Sequence, residues 1–354
     1  MADIGLTPGQ AQRMLAPIGD VSILEIELAG SINHVFRIRT CHHGTFYVKL
    51  HTARWYADQP DTFFVVNREC AVHDLLRLRG MPLPYPAWGD YTRGVVSRSA
   101  YICGELPGMP VPEAMARHPN EAGLILRALA CYLRRLHAIE FSAPGLIEPA
   151  HARFCPPTGT IPSLEAWDGG HLHHASHLQR EALDLVGRAA EAGHLSADVA
   201  RELEVGFAGM AALLEADYHP PRFTVGNCHA WHFHVSHEDG EWAVLGFYDF
   251  EAVSAGDPTI DLVELEVTLT PALGASGWRA PFLDAYGRWP ELEGYKLRLL
   301  YYLLHELFRP QSDVVPDRAW LGGRWADLIY AREWDELSWF PAGQRPGKEE
   351  DTDG

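Results

Sequence analysis

The stretch from Phe223 to Leu262, FTVGNCHAWHFHVSHEDGEWAVLGFYDFEAVSAGDPTIDL, carries the reading of this chain. A loop, Val225–His232 (VGNCHAWH), leads into a short strand, FHVS. The acidic turn HEDGE reverses the chain, and the strand WAVLGFYDF follows with Asp249 near its end. Two β-prone runs around a glycine-containing turn predict a hairpin. A carboxylate at the end of a hairpin strand, facing a loop with polar groups, suits a divalent cation. Gly256-Asp257-Pro258, followed by Asp261, reads as the start of a helix, with its acids structural rather than catalytic.

Upstream, the first hundred residues read mostly as strands. The pattern predicts strands over Val21–Leu28, Val35–Thr40, Thr45–Leu50, Gly94–Val96 and Ser99–Cys103, with one helix from Asn67 to Arg79 closed by Gly80. Gly30-Ser31-Ile32-Asn33 lies between two strands, where backbone N–H groups could cover phosphates or simply turn the chain. Lys49 sits inside the apolar strand YVKL, either snorkelling to the surface or reaching into a cleft as a phosphate ligand. Glu69, near the start of the helix, either pairs with Lys49 or serves the helix dipole. Gly104–Gly108 reads as a linker.

Beyond it the composition turns helical. Glu121–Ile139 places Leu124, Ala128, Leu129, Tyr132, Leu133 and Leu136 on one stripe. Leu178–His194, Ser196–Ala216, Thr259–Val267 and Leu297–Phe308 follow as further helices. The fold class expected is α+β with two lobes: a β-rich lobe over residues 1–103, a mainly helical lobe over 104–342 and a loose tail over 343–354.

Composition narrows the function. The 354 residues carry 29 Lys and Arg against 47 Asp and Glu, a formal charge of −18. That balance argues against nucleic-acid binding and suits a cationic small molecule. The 19 histidines, fully protonated, would take −18 to +1, so the acidic character belongs to neutral pH. With 47% hydrophobic residues the chain is globular. It shows no basic, apolar leader and no membrane-length apolar run. Six scattered cysteines without a C-x-x-C pair read as reduced cytoplasmic thiols. Nothing in the sequence indicates an oligomeric state.

The order of these features, a glycine-containing turn, a strand lysine, a helix glutamate, a linker, a polar loop and a strand-end aspartate, resembles the aminoglycoside phosphotransferase and choline kinase group. These are small-molecule kinases with a protein-kinase-like fold. The segments RECAVHDLLRLRGMPLP (68–84), YICGELPG (101–108), LRRLHAIEF (133–141) and GFYDFEAVSAGDPTIDL (246–262) are similar to family segments. The resemblance implies ATP or GTP between the lobes, with Gly30 and Ser31 over its phosphates. Lys49 would bind the α- and β-phosphates, oriented by Glu69. Backbone near Tyr101, Cys103 and Gly104 would hold the purine, and Asp249 and His232 would hold Mg2+. The implied reaction moves the γ-phosphoryl group to a hydroxyl of a small, cationic acceptor such as an aminoglycoside-like antibiotic or metabolite.

The family loop reads H-G-D-x-H-x-x-N, and this chain has Val225-Gly226-Asn227-Cys228-His229-Ala230-Trp231-His232. Gly226 and His229 match. His232 stands at the second metal position, as a histidine does in the macrolide phosphotransferase branch. Asn227 stands at the base position, and an amide cannot take a proton, though it can accept a hydrogen bond. A general base is worth about 10²–10⁴ in rate, whereas phosphoryl transfer rests mainly on positioning and charge neutralisation. The sequence therefore supports a phosphotransferase, a nucleotide-binding pseudokinase, or a metal-dependent enzyme on the same scaffold. The last would use Cys228, His229, His232, His234 and His237, or His171, His173, His174 and His177. Cys228 or His229 could stand in for the base. Glu264, Glu266 and Glu306 could contact a cationic acceptor, with a solvated helix face as the plainer reading of each.

Overall fold

Alternation of side chains builds the N-terminal sheet of this computed structural model, which describes residues 5–30, 33–51, 63–91, 94–96, 98–147, 175–218, 220–273, 275–308 and 318–337. Helix α1 (Pro8–Leu15) opens the chain, capped by Thr7 in a capping box with Gln10. Strands β1 (Ile23–Gly30), β2 (His34–Thr40) and β3 (Thr45–Leu50) follow, then helix α2 (Phe63–Leu78), β4 (Ala87–Asp90) and β5 (Ala100–Gly104). The antiparallel sheet has the order β1-β2-β3-β5-β4. Phe36, Val48 and Ile102 sit opposite one another across β2, β3 and β5. They join Ala11, Met14 and Leu15 of α1 in one buried cluster. The period of two then sends Tyr47, Lys49, Tyr101 and Cys103 to the other face.

The second half is mostly helical. It comprises β6 (Met109–Pro110), α3 (Val111–Arg117), α4 (Ala122–Leu136), β7 (Gly145–Leu146), α5 (Ala175–Glu191), α6 (Ala197–Ala208) and α7 (Met210–Tyr218). After β8 (Arg222–Thr224), the hairpin β9 (Phe233–Glu238) and β10 (Glu241–Phe247), and β11 (Ser254–Gly256), come α8 (Thr259–Leu273), α9 (Ala275–Tyr286), α10 (Leu292–Leu307) and α11 (Arg318–Tyr330). Two small sheets, β10-β9-β6 and β7-β11-β8, lie within this helical body. Its core is continuous with the sheet's second face: Val72, Leu75 and Leu76 of α2 and Tyr101 and Cys103 of β5 share one cluster with Leu129, Phe247 and Leu303.

Several expectations shift. Gly94–Val96 is not a strand; the edge strand is Ala87–Asp90, whose Gly89 and Asp90 are poor strand formers held by pairing with β5. The helix expected over Ser196–Ala216 breaks at Gly209 into α6 and α7. Leu124 is 52% exposed, and Ile125, Leu126 and Ala130 join the buried stripe of α4 in its place. Helix α1 was not anticipated. The stretch 343–354, Ser31, and His171, His173 and His174 lie outside the described residues, as does the side chain of His177. No described helix is long and apolar enough to cross a membrane.

Candidate active site

The strand period decides where Lys49 goes. Its neighbours Val48 and Leu50 turn toward α1, so Lys49 faces α2, where Glu69 is fully buried. Lys49 Nζ donates to Glu69 Oε1 at 3.1 Å, lies 2.9 Å from Glu251 Oε2, and also donates to Asp249 Oδ1. Burial opposes the ammonium charge, but Asp249, Glu69 and Glu251 outweigh it and raise the lysine well above its ordinary pKa. His51, two residues on, is fully buried on the same cluster. Its Nε2 lies 2.5 Å from Glu69 Oε2, and its Nδ1 lies 3.1 Å from Glu251 Oε2, off line for a hydrogen bond. Burial opposes a charge on His51, yet Glu69 and Glu251 raise its pKa. Burial likewise favours a neutral Glu251, but Lys49 and His51 draw it well below the usual carboxylate range. Asn33, just beyond β1, donates to Glu251 Oε2 at 3.0 Å, and Arg68 donates to the Glu251 carbonyl at 2.9 Å.

The hairpin and its loop bring Asp249 to this cluster. Asp249 has φ 74°, a left-handed conformation that turns the chain sharply after β10. Asn227 Nδ2 donates to Asp249 Oδ2 at 2.6 Å. A carboxylate only accepts, so the amide nitrogen must face Asp249, which leaves the Asn227 carbonyl oxygen as an acceptor. His232 Nδ1 lies 3.0 Å from the Asn227 backbone carbonyl. That contact requires the Nδ1–H tautomer and leaves Nε2 with its lone pair. Burial lowers the pKa of His232, more than Asp249 raises it, so the ring is neutral near pH 7.

One face of α8 suspends the loop. Asp261 accepts from the N–H groups of Val225 (2.7 Å) and Gly226 (2.9 Å), Glu264 from Cys228 N–H (2.6 Å), and Thr268 Oγ1 from Ala230 N–H (3.2 Å). Spacings of three and four residues put these acceptors on one helical face. Gly226 has φ 68°, and a Cβ there would stand 2.4 Å from the Ala252 carbonyl oxygen. Only glycine fits.

The residues expected around the nucleotide are partly rearranged. Gly30 closes β1 and is paired with Val35 of β2. Tyr101 and Cys103 are buried, and β5 is flanked by β3 on one side and β4 on the other. Their strand has no open edge for a purine, so recognition by backbone would have to come after Gly104. There, Glu105 N–H donates to Thr45 O at 2.9 Å and Leu106 N–H donates to the Tyr248 hydroxyl. Tyr248 precedes Asp249 and packs edge-on against Tyr47, with ring centroids 5.4 Å apart.

Residues 24–298 match the Phosphotransferase enzyme family, which is 275 of 354 residues. The chain belongs to this family. No curated protein matches it in sequence. Solved structures share the fold. An aminoglycoside phosphotransferase in complex with GDP and kanamycin superposes with a TM-score of 0.59 at 16% identity, over 90% of this chain and 99% of that one. An ADP-bound aminoglycoside phosphotransferase gives 0.55 at 14%, over 94% and 100%. A macrolide 2'-phosphotransferase gives 0.52 at 15%, over 84% and 89%.

The histidines around the loop do not assemble a metal cluster of their own. His232 ends a 3-10 turn and His234 lies in β9, so the two do not share a strand face. His229 instead stacks on Trp231 with centroids 4.5 Å apart, and His234 meets the edge of Tyr248. Among the described residues, the grouping of metal-ligand type is His51, Glu69 and Glu251. Cys228 is fully buried, and burial keeps its thiol protonated, so it is unsuited to replace the base. Glu264, Glu266 and Glu306 are neither solvated nor open to an acceptor. All three are buried; Glu264 holds the loop, and Glu266 is paired with Arg279 and accepts from the Tyr295 hydroxyl at 2.5 Å. His51, Glu251, Arg68 and Tyr248 belong to the site and were not anticipated. The available signal was the strand period for His51 and the short YDFEA run for Tyr248 and Glu251.

Proposed function

We propose that this family member transfers the γ-phosphoryl group of ATP or GTP to a hydroxyl of a small, cationic acceptor. The observation that carries this reading is the convergence of Lys49, Glu69, Asp249 and Asn227 from four separate elements onto one spot. Nucleotide would lie between the sheet of residues 1–103 and the helical part, 104–342, with Gly30 and Ser31 at its phosphates. An ammonium has three donors, and three carboxylates surround that of Lys49, so entering phosphates displace at least one of them. Glu69, fully buried, is the partner retained; Asp249 is the one exchanged.

The donors suit a divalent cation. Asp249 offers the carboxylate oxygen that Mg2+ prefers, and His232 a neutral imidazole whose Nε2 lone pair is a softer donor, better matched to a transition metal than to Mg2+. A bound Mg2+ would supply charge neutralisation at the β- and γ-phosphates. Lys49 would stabilise the migrating group from its own side. The Asn227 carbonyl oxygen would accept a hydrogen bond from the acceptor hydroxyl and orient it without removing the proton, which would pass to an oxygen of the migrating phosphoryl group as its bond to the nucleoside diphosphate breaks. The cytoplasm, with reduced thiols, is the compartment this chemistry fits.

A second reading, a nucleotide-binding pseudokinase, draws on two contacts: the Asn227 amide spent on Asp249, and the Tyr248 hydroxyl on the Leu106 amide. Thermal shift with ATP and GTP, with and without MgCl2, together with phosphate transfer to kanamycin, erythromycin and choline, separates the two. Stabilisation plus transfer to any acceptor is expected. Stabilisation without transfer moves the assignment to the second reading, and no stabilisation by either nucleotide overturns both.

A further inference from the structure

A cavity of about 190 Å³ opens on the helical body between α4, β8 and the end of α9, away from the Lys49 cluster. Its wall includes Arg134, His137, Arg222, Thr259, Tyr286 and Arg288, and its described lining contains no Asp or Glu. In a chain with 47 acids and 29 Lys and Arg, three arginines around one opening run against the composition.

The guanidinium groups of Arg134 and Arg222 are held in place rather than merely nearby. Arg134 Nη1 donates to the Ala285 carbonyl at 3.2 Å, and Arg222 donates to the His137 carbonyl at 3.2 Å and to Glu140 at 3.3 Å. These bonds take one of Arg134's five N–H groups and two of Arg222's. Gly287, at φ 85°, turns the chain between Tyr286 and Arg288, and a Cβ there would press on Arg134 Nη1 at 3.4 Å. The back wall is equally fixed. The Tyr286 hydroxyl lies 2.7 Å from His137 Nδ1, and His137 Nε2 lies 3.0 Å from Asp261 Oδ2.

We propose that this cavity is a binding site for a phosphate dianion, either free or carried as a small phosphomonoester. Planar guanidiniums match phosphate oxygens two at a time, and with Arg222 already paired to Glu140, a dianion answers the charges of Arg134 and Arg288 better than a carboxylate does. A volume several times the roughly 30 Å³ of a water molecule admits a phosphate with a small organic substituent. The proposal does not rest on the phosphotransferase reading, since the cavity shares no residue with the Lys49, Asp249 and Asn227 cluster, although its His137 wall is bonded to Asp261, which holds the loop of Asn227.

Isothermal titration of the full chain at fixed ionic strength, with inorganic phosphate and separately with glucose 6-phosphate, tests it. Saturable binding is expected. The double variant Arg134→Gln/Arg288→Gln should weaken it at least tenfold, while the charge-matched control Arg117→Gln/Arg201→Gln leaves it within twofold. Both substituted pairs are exposed, and far-UV circular dichroism verifies that each variant folds. Tighter binding of the ester identifies a phosphomonoester, and tighter binding of inorganic phosphate identifies the free ion; either supports the site. Absence of saturable binding by both, binding that survives in Arg134→Gln/Arg288→Gln, or equal loss in the control overturns it.

Discussion

Asn227 and Asp249 share one hydrogen bond at 2.6 Å, and that contact sets what a carboxylate at position 227 would do. Asn227→Asp replaces a donor by an acceptor, so two carboxylates would face each other unless a cation lies between them. In EDTA the variant should melt below the wild type, and excess MgCl2 should restore it. If the acceptor hydroxyl sits at this residue, its transfer rate should rise by up to about 10²–10⁴, the usual worth of a general base; an unchanged rate on a transferred acceptor would remove residue 227 from the proton's path. His51 offers a pH handle. Glu69 and Glu251 outweigh burial, so folded His51 holds its proton more tightly than the unfolded chain, whose value is 6.5. Its stabilising contribution is full below pH 6.5 and fades as pH rises through the raised folded value. Glu251, lowered from 4.5, behaves oppositely: its contribution is present above that value and lost as acid is added. The stability gap between wild type and His51→Gln, measured by urea unfolding from about pH 5.5 to about pH 8.5, should therefore shrink with rising pH. A gap that widens would contradict this account of His51.

At the scale of elements, α8 does more than pack. Its face of Asp261, Glu264 and Thr268 supplies acceptors for four loop amides, so the loop's shape depends on a helix that contains no residue of the cluster itself. Asp261→Asn leaves at most one acceptor oxygen where two amides donate, and it also faces His137. It should cost about 1–3 kcal/mol in urea unfolding, the penalty of a buried group left unpaired. The segment after β5 makes a different prediction. Tyr248 occupies the Leu106 amide, so a purine using that amide must displace a hydroxyl. Tyr248→Phe removes the competitor, at about 0.5–1.5 kcal/mol for one net hydrogen bond, and should tighten nucleotide binding by up to about tenfold. Unchanged affinity would mean that the purine does not use Leu106. The elements also show what sequence could and could not reveal. Lys49 and Asp249 were legible because a lysine inside YVKL and an aspartate at a hairpin end are anomalies in local pattern. The side chains of Asn33 and Arg68 were not, because their contacts to residue 251 span 218 and 183 residues and carry no local mark. Glu264 and Glu266 run against the local pattern, because acids on a helix ordinarily mean solvent. Here Leu262, Val263, Leu265 and Val267 are buried as well, so α8 is enclosed around its circumference and its acids face inward partners.

For the molecule as a whole, the division expected near residue 103 does not coincide with a division of the core. One cluster of buried side chains packs α1 against the sheet, and it is local to the first 102 residues. The other begins in α2 and β5 and runs without a break through α4, the β9–β10 hairpin and α10. The same seam carries the buried ion network, in which Lys49, His51 and Glu69 come from the N-terminal part and Asp249 and Glu251 from the helical part. Cutting the chain there would expose Val72, Leu75, Leu76, Tyr101 and Cys103 and strand buried charges without partners. Either loss is severe: an ion pair broken on one side alone costs about 3–5 kcal/mol. The full chain should therefore unfold in one calorimetric transition, with calorimetric and van't Hoff enthalpies in agreement. A fragment of residues 1–103 should lack the dispersed amide spectrum of a folded sheet. Lys49→Met should lower the single transition rather than split it, because the network joins the two parts instead of stabilising either alone. Two resolved transitions in the wild type, or a folded 1–103 fragment, would show that the parts are separate cooperative units and that the shared core contributes little to holding them together.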